Sequence, residues 1–88
     1  MSGPEGLRID VDWTDETCAL TLHGALTADV VDLFDDAVEL TLEQASRRHQ
    51  DLVVDLRDVK RVDARGEDEL RSLGGRARRA GCRVHVRA

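Results

Sequence analysis

The chain has 88 residues, 35% of them charged and 2% aromatic, with a formal net charge of −5. That length holds one small domain with little surplus stability, on the order of 5 kcal/mol. No run reaches the roughly 20 apolar residues that span a bilayer, so membrane insertion is not expected, and an acidic chain argues against nucleic-acid binding, which needs many cations along one face.

Residues 1–6 read as a disordered lead with neither the basic stretch nor the apolar core of a signal peptide, and residues 7–88 as a single domain. Leu7 to Trp13 alternates apolar and polar, as a strand with one buried face does; Trp13 is expected to close the edge of the core. Thr14-Asp15-Glu16 is a turn, and Thr17 to His23 alternates again until Gly24 ends the pattern, which predicts an antiparallel pair. A helix over 28–48 follows, with Thr27 as its N-cap and an apolar stripe of Val30, Leu33, Phe34, Ala37, Val38, Thr41 and Ala45. Leu52-Val53-Val54 lacks alternation, as expected of a strand covered on both faces.

Residues 57–66 read as a polar loop, and Gly66 to Ala80 as a second helix burying Leu70, Leu73, Ala77 and Ala80. Its acids at the N-terminus and arginines at the C-terminus suit the helix dipole. Gly74-Gly75 inside it costs roughly 1 kcal/mol per glycine relative to alanine, which implies close packing or local softness. Gly81 is a natural C′ residue, and Arg83 to Arg87 is the last strand. The order is β-β-α-β-α-β, and the strand at 51–56 and the last strand should run parallel through a helical crossover. The fold class is therefore α/β, a mixed four-stranded sheet with helices packed on it.

Charge is uneven: residues 1–45 carry eleven acids and one base, and residues 46–88 seven acids and twelve bases. This would suit electrostatic steering of a charged protein partner, although arginines coating two helix ends and a strand account for it more simply. Cys18 and Cys82 form neither a metal spacing nor a Cys-x-x-Cys pair, consistent with reduced thiols in a cytoplasmic chain. His23, His49 and His85 have no acid at ligand spacing, and His23 and His85 could meet only on neighbouring strands. Ser2, Ser46 and Ser72 lie outside any nucleophile elbow. The acid pairs Asp35-Asp36 and Asp68-Glu69 read as solvated helix surface. No constellation for proton transfer or carbonyl attack emerges, so neither an enzyme nor a cofactor is expected.

The residues Leu20-Thr21-Leu22-His23-Gly24-Ala25-Leu26, the helix after them, Leu52 to Leu56, Asp63, Gly66 and Ala80-Gly81 form an ordered set. It resembles the STAS domain, the fold of bacterial anti-sigma-factor antagonists. The resemblance covers roughly residues 17–88. Relatives carry a phosphorylated serine or threonine after the loop aspartate, where this chain has Ala64. They often read Gly-Glu-Leu-Asp before the first helix, where this chain has Gly24-Ala25-Leu26-Thr27. They usually continue past the fourth strand, so an uncovered apolar face that invites a partner or a second copy is expected.

The resemblance implies a non-catalytic interaction module. Its partner-binding residues would be Arg57, Asp58, Lys60, Arg61, Asp63, Ala64, Arg65, Gly66 and Glu67, with Ala64 the degenerate phosphoacceptor position. The implied partner is an anti-sigma factor with a kinase-like ATPase fold, bound constitutively because a methyl group cannot receive phosphate. The alternatives are a STAS subunit of a larger assembly, such as a lipid-transport ATPase complex, and a self-associating homodimer. Asp63 also reads as an N-cap of the second helix, a role compatible with binding.

Overall fold

A computed structural model describes residues 6–88. Of the lead expected at 1–6, only Gly6 falls among the described residues, and its carbonyl accepts the Ala25 amide at 3.4 Å. The elements are β1 (Leu7–Trp13), β2 (Thr17–Leu26), a 3-10 turn (Ala28–Val30), α1 (Val31–Arg47), β3 (Asp51–Val62), α2 (Ala64–Ala80) and β4 (Val84–Arg87). The sheet order is β1-β2-β3-β4; β1 and β2 are antiparallel, and β2, β3 and β4 are parallel. The α/β class and the β-β-α-β-α-β order are as the sequence predicts.

Both helices lie on one face of the sheet. Cys18, Leu20, Leu22, Leu52 and Val54 point into that layer and meet Phe34, Val38, Leu42, Ala45, Leu73 and Ala77. By alternation, Arg8, Asp10, Asp12, Thr21, His23, Asp51, Asp55, His85 and Arg87 occupy the other face. Two expectations change here. β3 is covered on one face only, because both crossovers place their helices on the same side, and Val53 is left half-buried on the other. The uncovered sheet face is polar rather than apolar.

The α1 stripe is also rotated from the predicted one. Val31, Phe34, Val38, Thr41, Leu42 and Ala45 are buried, whereas Leu33 is 52% exposed and Leu40 59%. Phe34, Val38, Thr41 and Ala45 are buried as expected, Val30 falls in the 3-10 turn before the helix, and Val31 and Leu42 complete the buried stripe. In α2, Leu73 and Ala77 are buried, with Leu70 and Ala80 packed partly against the core. Trp13 packs at the core edge, and the Arg48 guanidinium lies 4.6 Å from its ring centroid.

The strands run further than their alternation. β2 continues past Gly24 (φ +106°), where a Cβ would stand 2.2 Å from the Gly6 carbonyl oxygen. Glycine is thus required inside the strand rather than at its end. β3 continues through the predicted loop to Val62. Its ladder with β2 shifts register between Thr21 and His23 and again between Gly24 and Ala25. Each shift inserts one extra residue into β3, so Leu56, Val59 and Val62 all reach the helix face at three-residue spacing. No helix among the described residues is long and apolar enough to cross a membrane.

Candidate functional site

The second register shift brings β3 to an end at Val62, opposite Leu26, and Asp63 follows as the N-cap of α2. One carboxylate oxygen of Asp63 accepts the Gly66 amide at 2.9 Å and the other accepts the Ala28 amide, also at 2.9 Å. Its own amide donates to the Leu26 carbonyl at 3.2 Å. One side chain therefore caps α2 and the 3-10 turn together and fixes both to the end of β2. These two amides, Gly66 first and then Ala28, hold the Asp63 carboxyl below its ordinary range. The expected N-cap at Thr27 is not made: its hydroxyl donates instead to the Asp29 carboxylate, and the distant Asp63 takes the Ala28 amide.

Gly66 is buried because α2 presses directly on β2. A Cβ there would meet the Leu26 carbonyl oxygen at 2.4 Å and the Val62 Cγ1 at 3.0 Å. This close approach turns Ala64, Arg65 and Glu67 outward, and all three are exposed. Ala64 is the first residue of α2 and presents its methyl group to solvent. Glu67 has Arg71 one turn later at 3.8 Å. Lys60 and Arg61 project from the last bulged stretch of β3 and add positive charge beside this corner; Arg61 helps lower Asp63.

Arg57 and Asp58 lie further back on β3; Asp58 stands opposite His23, three β2 residues from Leu26, or about 10 Å of strand from Val62. The Arg57 guanidinium clasps Asp55 through Nε at 3.0 Å and Nη2 at 2.7 Å, drawing the Asp55 carboxyl down to about 2. Asp58 turns to the polar sheet face and joins a group the sequence did not reveal. There, His23 Nε2 is 3.0 Å from Asp10 and Nδ1 is 3.1 Å from Asp58, so one imidazole on β2 bridges carboxylates of β1 and β3. Nothing at ligand spacing signals this, because the three residues meet only across strands. His85 contacts Asp51 at 3.0 Å; β3 separates it from His23.

The reactive groups are quiet. Burial pushes the Cys18 thiol up to about 11, and burial also raises Cys82. Among the described residues no group of three or more His, Cys, Asp or Glu side chains could hold a metal ion. Asp35 and Glu69, read as solvated, instead lie 2.6 Å and 3.6 Å from Arg76, which also reaches Glu39 at 3.1 Å and ties α2 to α1.

Comparison with known proteins bears on this arrangement. The family model described as Mlab, STAS domain matches residues 9–88. No curated protein matches the sequence. Among solved structures, an anti-sigma factor antagonist from Mycobacterium paratuberculosis is similar at TM-score 0.78 and 17% identity, over 100% of this chain and 74% of that one. The STAS domain of an antisigma-factor antagonist from Rhodobacter sphaeroides is similar at TM-score 0.68 and 17% identity, over 92% and 85%. Mglu is similar at TM-score 0.74 and 22% identity over 90% of this chain, which spans 19% of the length of Mglu. At these identities the structures share a fold. The match over 9–88 takes in both helices and the aspartate-capped corner between β3 and α2, and with it the chain belongs to the STAS family described as Mlab, STAS domain.

Proposed function

We propose that this STAS domain is a non-catalytic interaction module that binds a protein partner through the corner formed by Lys60, Arg61, Asp63, Ala64, Arg65, Gly66 and Glu67. Arg57 and Asp58 lie further along the same strand, at the margin of that surface. The observation that carries the reading is the position of Ala64: it is exposed on the first turn of a helix that Asp63 fixes rigidly, and it has no hydroxyl. Binding is therefore constitutive rather than released by phosphate. The partner is an anti-sigma factor with a kinase-like ATPase fold, in the bacterial cytoplasm, and its capture frees a sigma factor for transcription.

The test is binding of such a partner by calorimetry. Arg65→Glu should weaken binding at least tenfold with unchanged circular dichroism. Incubation with the partner and ATP should leave wild type without phosphate, whereas Ala64→Ser accepts it. Wild-type affinity in Arg65→Glu, or phosphate on another residue of the wild type, would overturn the reading.

A second reading keeps the same surface but assigns it to a transporter ATPase subunit in a larger assembly. It is favoured by the family description, which names Mlab rather than an anti-sigma factor antagonist. Copurification with a transporter ATPase and indifference to anti-sigma factors would select it.

A further inference from the structure

β1 is the outermost strand of the sheet, and among the described residues nothing pairs with its outer edge. The backbone bonds at its two ends show which groups face outward. The Thr14 amide donates to Thr17 and the Ala25 amide to Gly6, both in register with the β1–β2 ladder. Even-numbered residues therefore bond to β2, and the main-chain groups of Leu7, Ile9, Val11 and Trp13 point away from it. The strand is seven residues long, in unbroken register, without proline or bulge. The protection such an edge carries is limited to the charges of Arg8, Asp10 and Asp12, all on the polar face. The opposite edge differs: β4 has only four residues, Val84–Arg87.

The sequence of β1 is self-complementary when read antiparallel about Asp10. Leu7 then faces Trp13 of the second copy, Ile9 faces Val11, and Arg8 faces Asp12. Apolar residues meet on the helix face, and two of the three pairs on the polar face join opposite charges. Asp10 meets itself, but in each chain it already contacts Arg8 at 3.1 Å and His23 at 3.0 Å. A register centred on Val11 would set Asp10 against Asp12, and one centred on Ile9 would place Trp13 beyond Leu7, the first residue of the strand. The pairing would also supply a neighbour to Val11, which is 44% exposed.

From this complementarity we infer that two copies of the chain join edge to edge through β1, centred on Asp10, and form one continuous eight-stranded sheet with a two-fold axis. This surface is separate from the Ala64 corner, so a partner and a second copy do not compete.

Sedimentation velocity of the full chain at two widely separated concentrations tests the inference. The expected result is a reversible monomer–dimer equilibrium that closes at two copies. Arg8→Asp and Asp12→Arg each place like charges in both symmetric contacts and should weaken association roughly tenfold or more. The double variant R8D/D12R should restore it. Val11→Pro removes an outward amide without touching the ladder to β2, and should give a monomer with wild-type circular dichroism. A wild type that is monomeric at both concentrations overturns the inference. So does a dimer indifferent to both charge reversals, or an assembly that grows beyond two copies.

Discussion

The same substitution at two positions of α2 should have opposite effects. At Gly66, an alanine Cβ would lie 2.4 Å from the Leu26 carbonyl oxygen and 3.1 Å from the Leu26 Cγ. That oxygen also accepts the Asp63 amide at 3.2 Å, so it is held in place and the helix must move. Overpacking of this kind costs about 1–3 kcal/mol. The gain in helix propensity from Gly to Ala is at most about 1 kcal/mol in a helix interior, and Gly66 lies in the first turn. The clash therefore wins. At Gly74 an added Cβ meets nothing within 4 Å, and the propensity gain of roughly 0.5–1 kcal/mol stands alone. Thermal unfolding should show Gly66→Ala below wild type and Gly74→Ala above it, by roughly 4–8 °C per kcal/mol in a domain of this size. Gly66→Ala should also impair partner binding, because the displaced turn carries Ala64 and Arg65. A Gly66→Ala protein as stable as wild type would refute the account of the corner, and a destabilised Gly74→Ala would show that the helix needs its glycine for some other contact.

Two further substitutions probe the joints of the fold. Asp63→Ala should lower stability at neutral pH by uncapping both α2 and the 3-10 turn. Because the folded carboxyl sits below its ordinary 3.8, its contribution is complete above that value and is lost as pH falls through the lower folded one. Urea unfolding of wild type and variant should therefore converge in strong acid; a constant difference would show that charge is not involved. Arg76→Ala removes a guanidinium whose side chain is 13% exposed and which meets Asp35, Glu39 and Glu69. It should cost about 1–3 kcal/mol. A double-mutant cycle with Asp35→Asn should be clearly non-additive, and additivity would deny the link between α1 and α2.

The sequence showed the order of elements because each strand and helix announces itself by period, but local signals misread several places. The β3 extension read as a loop because two bulges convert its alternation into the three-residue steps Leu56, Val59, Val62. Gly24 read as a strand end because what requires a glycine there, the close approach of the Gly6 carbonyl on the neighbouring strand, is a tertiary contact. Thr27 read as a cap because a hydroxyl is locally available, whereas the carboxylate that does cap Ala28 arrives from 35 residues away in sequence. The candidate site was legible at its centre, in Asp63, Ala64 and Gly66, where local chemistry and packing coincide. It was illegible where strands bring side chains together: the Asp10–His23–Asp58 bridge has no local signature.

The geometry at Ala64 also predicts what a charge there would do. The methyl group is exposed, so an acidic side chain meets no clash, and at the first turn of α2 it is favoured by the helix dipole. The fold should therefore tolerate Ala64→Asp. The local amides offer the new carboxylate little, because Asp63 already occupies those of Ala28 and Gly66. Its charge instead adds to Asp63 and Glu67 and opposes any acidic groups that a partner aligns with Lys60, Arg61 and Arg65. Like charges brought together in an interface cost enough to weaken binding roughly tenfold or more, and added salt should shrink the loss. Phosphate on Ala64→Ser, with nearly two charges, should act more strongly in the same direction. Titration calorimetry of wild type and Ala64→Asp at low and high salt checks this, with circular dichroism confirming the fold. An Ala64→Asp protein that is native by circular dichroism and binds as tightly as wild type would place the partner elsewhere, and the missing hydroxyl would then say nothing about how binding is controlled.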